Sequence, residues 1–368
     1  MPGIYLHVPF CDGKCPYCDF YSLRGNEKQM DDYVSAMIRE IRACPAAREK
    51  LLAGTVYFGG GTPSLLGAER LSTLLDAVRE SFDLAEGAEV TLEANPNSVG
   101  REFFRAVRKA GFNRLSMGMQ SGNEDELQFL GRKHSREDVK SAVSAARAAR
   151  FENISLDLML GLPGGSGEKL RRSIDFAAGM GAEHISAYIL KIEPGTPFAA
   201  RGIDLPEDDA AADQYLFCVG ELERRGYAQY EISNFAKPGR ESRHNLVYWH
   251  GEEYLGFGPG AHSFFGGRRF FYPRDLEGFL RGISPTDDGA GGGFSEYAML
   301  NLRLAAGISL TQCREKFGAA GEEFFLRLLQ NAKKCPPALL RADRERLAFT
   351  PEGFLVSNAL LLHLLEDF

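Results

Sequence analysis

The chain has 368 residues, of which 44% are hydrophobic and 25% charged, with a formal net charge of -7. That composition belongs to a folded soluble protein and excludes general disorder, while the length exceeds a single hydrophobic core and favours units of unequal size. An acidic balance also argues against a general nucleic-acid binder, which would carry a basic stripe, so no nucleic-acid partner is expected.

In chain order, no basic leader precedes the first apolar segment at Ile4, and the longest apolar stretch near the end, 359–365, is too short for a bilayer. The expectation is a cytoplasmic protein, at most peripheral to a membrane. Strands are predicted at 4–8, 55–58, 89–93, 114–119, 153–158 and 184–190, with helices at 31–43, 69–82, 102–110, 135–149 and 168–180 between them. Strict alternation of this kind implies parallel strands, because each crossover returns the chain to the same end of the sheet. Either an open sheet or a partial (β/α) barrel satisfies it over 1–190. The next region, 191–290, is rich in Gly, Pro and aromatics, and the run 287–293 reads as a flexible connection. Residues 294–368 form a helical module, with helices near 296–304, 310–317 and 322–332, a hairpin turning at Asp343–Arg344, and a last helix from Pro351. This is a winged-helix-like order. Nine basic and nine acidic side chains in that stretch leave it without an electrostatic footprint for a duplex, and a packing or lid role is favoured.

The seven cysteines are Cys11, Cys15, Cys18, Cys44, Cys218, Cys313 and Cys335. Three fall within eight positions and four are dispersed, which suits metal chemistry better than a disulfide framework. Pro9, Gly13 and Pro16 keep the segment around them out of helix, so the chain can wrap a compact object. A lone zinc ion normally takes four ligands, and only His7 is near enough in sequence to be the fourth. Three thiolates suit a [4Fe–4S] cluster with one open iron. Just after the second strand comes Gly59-Gly60-Gly61-Thr62-Pro63, where backbone can approach a ligand closely. A phosphate loop is the competing reading, but no Gly-Lys-Ser/Thr ending follows here or after Gly164-Gly165-Ser166-Gly167.

Cys-x3-Cys-x2-Cys with Tyr17 before the last cysteine, followed by the glycine run, resembles the radical S-adenosylmethionine (radical-SAM) family. The resemblance spans nearly the whole chain, selects the partial (β/α)6 barrel, and implies a [4Fe–4S] cluster on Cys11, Cys15 and Cys18 with SAM beside it. It implies SAM contacts from Tyr5, Tyr17, Gly60, Gly61, Thr62, Glu93, Gln120, Arg132 and Asp157, the polar ones near C-terminal ends of strands, where β/α folds place ligands.

Within that family two branches compete. Oxygen-independent coproporphyrinogen III dehydrogenases decarboxylate two propionates and carry a further cysteine two residues past the third; this chain has Phe20 there. The segment His244-Asn245-Leu246-Val247-Tyr248-Trp249 and the later Gly258-Pro259-Gly260-Ala261-His262 resemble instead the HemW-type haem chaperones. Their resemblance implies haem as cargo, haem-receiving proteins such as membrane-associated respiratory enzymes as partners, and compatibility with a homodimer. Imidazole and phenolate can ligate haem iron and indole can pack on the porphyrin, so His244, Tyr248 and Trp249 are the haem candidates. The alternative is that they order a loop through hydrogen bonds. His250 and His262 are candidates by proximity, and the Cys-Pro pairs at Cys15, Cys44 and Cys335 are a weaker signal.

Overall fold

Side-chain alternation along the first six strands decides the architecture. In the computed structural model, which describes every residue except Asp367, β1 (Gly3–Val8), β2 (Leu52–Gly60), β3 (Asp83–Ala94), β4 (Arg114–Gln120), β5 (Ile154–Leu160) and β6 (His184–Ile189) lie in chain order, all parallel. Parallel crossovers are right-handed, so an order without reversal places every connecting helix on one face. An open doubly wound sheet, with helices on both faces and a reversal in strand order, is thereby set aside. The convex face is apolar: Leu6, Phe58, Leu92, Met117, Leu156 and Ile185 are buried against the helices. The concave face carries Tyr5 and His7, Tyr57, Glu93, Ser116, Asp157 and Ser186, with Tyr5 opposite Tyr57, Glu93 opposite Ser116 and Asp157 opposite Ser186.

The barrel is partial. The outer neighbour of β6 is β8 (Asn234–Ala236), followed by β7 (Ala228–Gln229), and that of β1 is β9 (Tyr254–Phe257), which is parallel to it. Beyond β9 run β10 (His262–Phe265), β11 (Arg268–Phe271) and β12 (Thr286–Ala290), all antiparallel. The run expected as a flexible connection thus contributes an edge strand, because Arg268 and Phe270 offer it a partner before the glycines take over at Gly291. Residues 191–290 extend the same sheet at both edges.

Helix starts follow their caps. Ser135 and Asp138 form a capping box for Arg136–Ala148. Asn26 and Gln29 do the same for Glu27–Ala43, which therefore begins one turn before the predicted 31. The C-terminal module has helices Phe294–Asn301 and Leu310–Ala332, the second broken at Gly318 (φ 63°). A small antiparallel sheet follows, with β15 (Arg346–Phe349) between β13 (Ile308–Ser309) and β14 (Leu340–Ala342), then two short helices, Pro351–Leu355 and Ser357–Leu364. Among the described residues, no helix is long and apolar enough to cross a membrane.

Candidate cofactor site

The concave face forms a cup with a closed floor and an open mouth. At the N-terminal ends of the strands Thr55, Glu89, Arg114, Ser155 and His184 are buried, whereas Glu93, Gln120, Asp157 and Tyr188, further along, retain access. The helix Arg243–Trp249 seals the floor. Its first backbone N–H groups, from Arg243 and His244, donate to the Glu89 carboxylate at 3.2 and 3.0 Å, a favourable place for negative charge at a helix start. Ser242 caps it through Asn245.

That placement puts most of the His-Asn-x-x-Tyr-Trp segment against the floor of the sheet. His244 is only 1% exposed; its Nδ1 pairs with Thr55 Oγ1 at 2.7 Å and its Nε2 with the Tyr248 hydroxyl at 2.8 Å. The ring stacks against Tyr57 with centroids 5.1 Å apart, and burial, with Arg114 nearby, pulls its pKa down to about 3. Both nitrogens are engaged within the protein, so in this arrangement His244 and Tyr248 form a hydrogen-bonded plug at the floor of the cup. Trp249 is partly exposed at the end of the helix.

The mouth is built by the cysteine loop. Leaving β1, the chain pairs Phe10 with Leu23 in an isolated bridge, and Cys11 N–H donates to the Leu23 carbonyl at 2.9 Å, closing the loop at its base. Cys11, Cys15 and Cys18 are unpaired and half-buried within it. The glycine run is stitched beneath: Gly61 N–H donates to Val8 O at 2.8 Å and Thr62 N–H to Phe10 O at 2.7 Å. The Thr62 hydroxyl lies 3.4 Å from Cys11 Sγ. A methyl group at Gly60, whose φ is 114°, would meet the His7 ring at 2.7 Å, and one at Gly61 would meet Phe10 O at 2.5 Å. The glycines therefore serve close approach by the chain itself.

Arg132 joins the loop to the cup. Its guanidinium donates to Asn95 Oδ1 at 2.6 Å, to Gly118 O at 2.9 Å and to Cys15 Sγ at 3.4 Å. Gly118 makes room, since a Cβ there would stand 3.0 Å from Arg132 Nη2 and 2.8 Å from the Gln120 amide. Gln120 itself is held at φ 64°, a conformation rare for a residue with a side chain. Tyr17 packs toward Phe198 on the small apolar cluster of Leu130, Leu162 and Leu190.

Two carboxylates sit midway down the cup. Glu93 accepts from the Tyr57 hydroxyl at 2.8 Å and Gly60 N–H at 3.2 Å. Burial raises its pKa to about 7 despite those bonds, with Asp157 adding repulsion. Burial likewise lifts Asp157 to about 6, against hydrogen bonds from Ser186 and Ser116. Tyr5 bonds to His7 Nδ1 at 3.0 Å. Eight of the nine residues expected at a SAM site thus meet along the mouth and wall of this cup; Tyr17 approaches from the loop above. Reasoning from sequence passed over Tyr57, Asn95 and Gly118. The signal for Tyr57 was strand alternation, which sets it on the same face as Tyr5, and for Gly118 a glycine inside a strand.

The donor set fits an iron–sulfur cluster better than zinc. His7 is ruled out as a fourth ligand because its Nε2 pairs with Tyr21 O at 3.0 Å and its Nδ1 with Tyr5. Among the described residues, no three His, Cys, Asp or Glu side chains group tightly enough for a single ion. The three thiols would suit a group wider than one ion. Cys11 and Cys15 line a cavity of 370 Å³ together with Lys14, Arg24, Arg132 and Lys133, cations suited to the net negative charge of a thiolate-bound cluster.

Comparison with known proteins agrees with this geometry. The Radical SAM superfamily model matches residues 5–177. A Mycobacterium tuberculosis protein named heme chaperone HemW is 39% identical, over 99% of this chain and 94% of that protein. HemW of Bacillus subtilis is 36% identical over 97% of each. Among solved structures, coproporphyrinogen III oxidase (HemN) from Escherichia coli superposes with a TM-score of 0.84 at 22% identity, over 99% of this chain and 90% of that one.

Proposed function

The chain belongs to the radical SAM superfamily and lies beside the HemW relatives along its full length; from that premise we propose that it is a haem chaperone, holding a [4Fe–4S] cluster and SAM and delivering haem to haemoproteins. The observation that carries this reading is the full-length likeness at 39% identity to a protein named for that role. The likeness to HemN, at 22% identity, bears on the fold alone. Phe20 adds support: where a dehydrogenase has a further cysteine, this chain presents a ring that is 66% exposed.

Cys11, Cys15 and Cys18 would hold the cluster, which would supply an anchoring point and an electron to SAM bound beside it. The chain's own part is positional. Arg132 fixes the cysteine loop to β3 and β4. Glu93, once ionised, can accept from ribose hydroxyls, and Gln120 and Asp157 offer further polar contacts on the same wall. Haem-receiving proteins, including membrane-associated respiratory enzymes, would be its partners, and the cytoplasm its compartment.

One preparation, reconstituted without air, tests the reading. Ferric haem should bind saturably and pass to an apo-haemoprotein, while coproporphyrinogen given with SAM and reductant should release no carbon dioxide above background. Turnover of coproporphyrinogen to protoporphyrinogen would overturn it in favour of the dehydrogenase.

A further inference from the structure

With His244 committed to the floor of the cup, the haem cargo needs another seat. Seven histidines are available. His7, His184 and His244 have both ring nitrogens engaged. His134 bonds to Met119 O, His250 pairs with Asn301 Oδ1, and His363 faces Glu366. His262 differs from all of these. It is exposed at the start of β10 and its ring nitrogens have no polar partner among the described residues; its one ring contact is a stack on Phe271, centroids 5.2 Å apart and planes 25° from parallel.

The surroundings are those of a flat, amphipathic ligand. The turn before His262 is pressed onto the end of β1 and the cysteine loop: at Gly258 (φ 101°) a Cβ would lie 2.5 Å from His7 O of β1, and at Gly260 (φ 87°) 3.6 Å from Tyr21 Cβ of the loop and 3.5 Å from Arg274 Cγ. Arg274 also reaches Asp19, at a loose 4.0 Å with both side chains more than half exposed, so its guanidinium can turn to another carboxylate. Between Asp19 and Tyr21 stands Phe20, the exposed aromatic of the loop. The stacked imidazole and Phe271 ring, with Arg274 and Tyr21 meeting at Gly260 two residues before His262, therefore lie beside the segment that carries Phe20.

We propose that His262 ligates the iron of haem on this open platform, with Phe20 and Phe271 offering apolar surface to the porphyrin and Arg274 pairing with a propionate. The proposal rests on the haem-chaperone reading and names the seat that reading lacks. Imidazole is an ordinary axial ligand, and aromatic rings pack readily on a porphyrin face. Partial burial lowers the pKa of His262, which keeps the ring neutral and able to ligate at neutral pH. An exposed seat also suits a carrier, because cargo held on a surface can be passed on without unfolding its holder.

The test titrates ferric haem into the full-length, cluster-loaded chain and follows the Soret band and the low-spin signal in electron paramagnetic resonance. The wild type should show saturable, imidazole-ligated haem. His262→Ala should weaken binding about tenfold or more and abolish the imidazole signature, with cluster absorbance and melting temperature unchanged. Added imidazole should restore the signature in that variant, and His250→Ala should behave as wild type. A His262→Ala protein that binds haem as the wild type does would overturn the assignment. So would a thiolate-type spectrum abolished by Cys335→Ser, which would move the haem to the 700 Å³ groove lined by Leu326, Cys335 and Leu340. No saturable haem binding by the wild type would instead remove the chaperone reading on which the proposal rests.

Discussion

Replacing Gly61 by alanine puts one methyl group where the cysteine loop and the glycine run touch. Its Cβ would stand 2.5 Å from Phe10 O and 3.0 Å from Val8 O. Both are backbone atoms, so no side chain can rotate away, and the two segments must part by nearly 1 Å to regain van der Waals distance. The bonds across that gap, Gly61 N–H to Val8 O and Thr62 N–H to Phe10 O, would stretch together. Losing most of two hydrogen bonds costs about 1–3 kcal/mol, and the overpacking a further 1–3 kcal/mol. A destabilisation of about 2–6 kcal/mol is expected, and because Phe10 precedes Cys11 the reconstituted protein should hold less iron. Chemical denaturation and iron analysis measure the two effects. Gly220→Ala is the control: it lies within the helix Asp208–Arg224, nothing stands within 4 Å of its Cβ, and it should be neutral or stabilising by up to about 1 kcal/mol. Gly61→Ala with wild-type stability and iron content would refute the reasoning.

Four further outcomes follow from the same geometry. Cys11→Ala, Cys15→Ala and Cys18→Ala should each lose the iron–sulfur absorbance on anaerobic reconstitution, whereas Cys44→Ala, Cys218→Ala and Cys313→Ala should keep it. Arg132→Lys should weaken SAM binding, measured by calorimetry, nearly as much as Arg132→Ala, because one ammonium cannot reach Asn95, Gly118 and Cys15 at once; each should destabilise by about 1.5–3 kcal/mol. Glu93 holds its proton up to about pH 7 when folded and gives it up near 4.5 when unfolded, so stability falls as pH rises through that window. Glu93→Gln, which keeps the Tyr57 bond, should then be more stable than wild type at pH 8 by about 1–3 kcal/mol, the gap closing by pH 4.5 in denaturant titrations. His244→Ala should cost about 2–5 kcal/mol by leaving a cavity and breaking two buried hydrogen bonds, with the affinity for ferric haem in the surviving folded protein unchanged.

The cysteine loop and the strands beneath it were legible because their constraints are local. Pro9, Gly13 and Pro16 bar helix, and the alternation from Tyr5 to Val8 marks a strand with two unlike faces. Glu93 and Asp157 could be placed near strand ends by counting, and the structure sets them on one wall. Less legible was anything fixed by tertiary packing. His244 reads as a ligand in isolation, and only the approach of its helix to Thr55 and Glu89 turns it into a plug. The acidic-glycine run 287–293 reads as a linker because glycine and aspartate are poor strand formers; pairing with Arg268 and Phe270 overrides that preference. His262 looked no different from His250 in the sequence, since the difference lies in partners brought from elsewhere.

The parallel pairing of β1 with β9 joins Gly3–Leu6 to Tyr254–Phe257, across some two hundred and fifty residues of chain. During synthesis β2 is available soon after β1, but β9 is not. At about 5–20 residues per second, the interval between completing β2 and completing β9 is on the order of 10–40 s. Over that time the strand leading into the cysteine loop has a partner on one side and a bare edge on the other, open to any extended segment that can add to it. Anything that covers that edge until β9 emerges would therefore act on a species the ribosome itself creates.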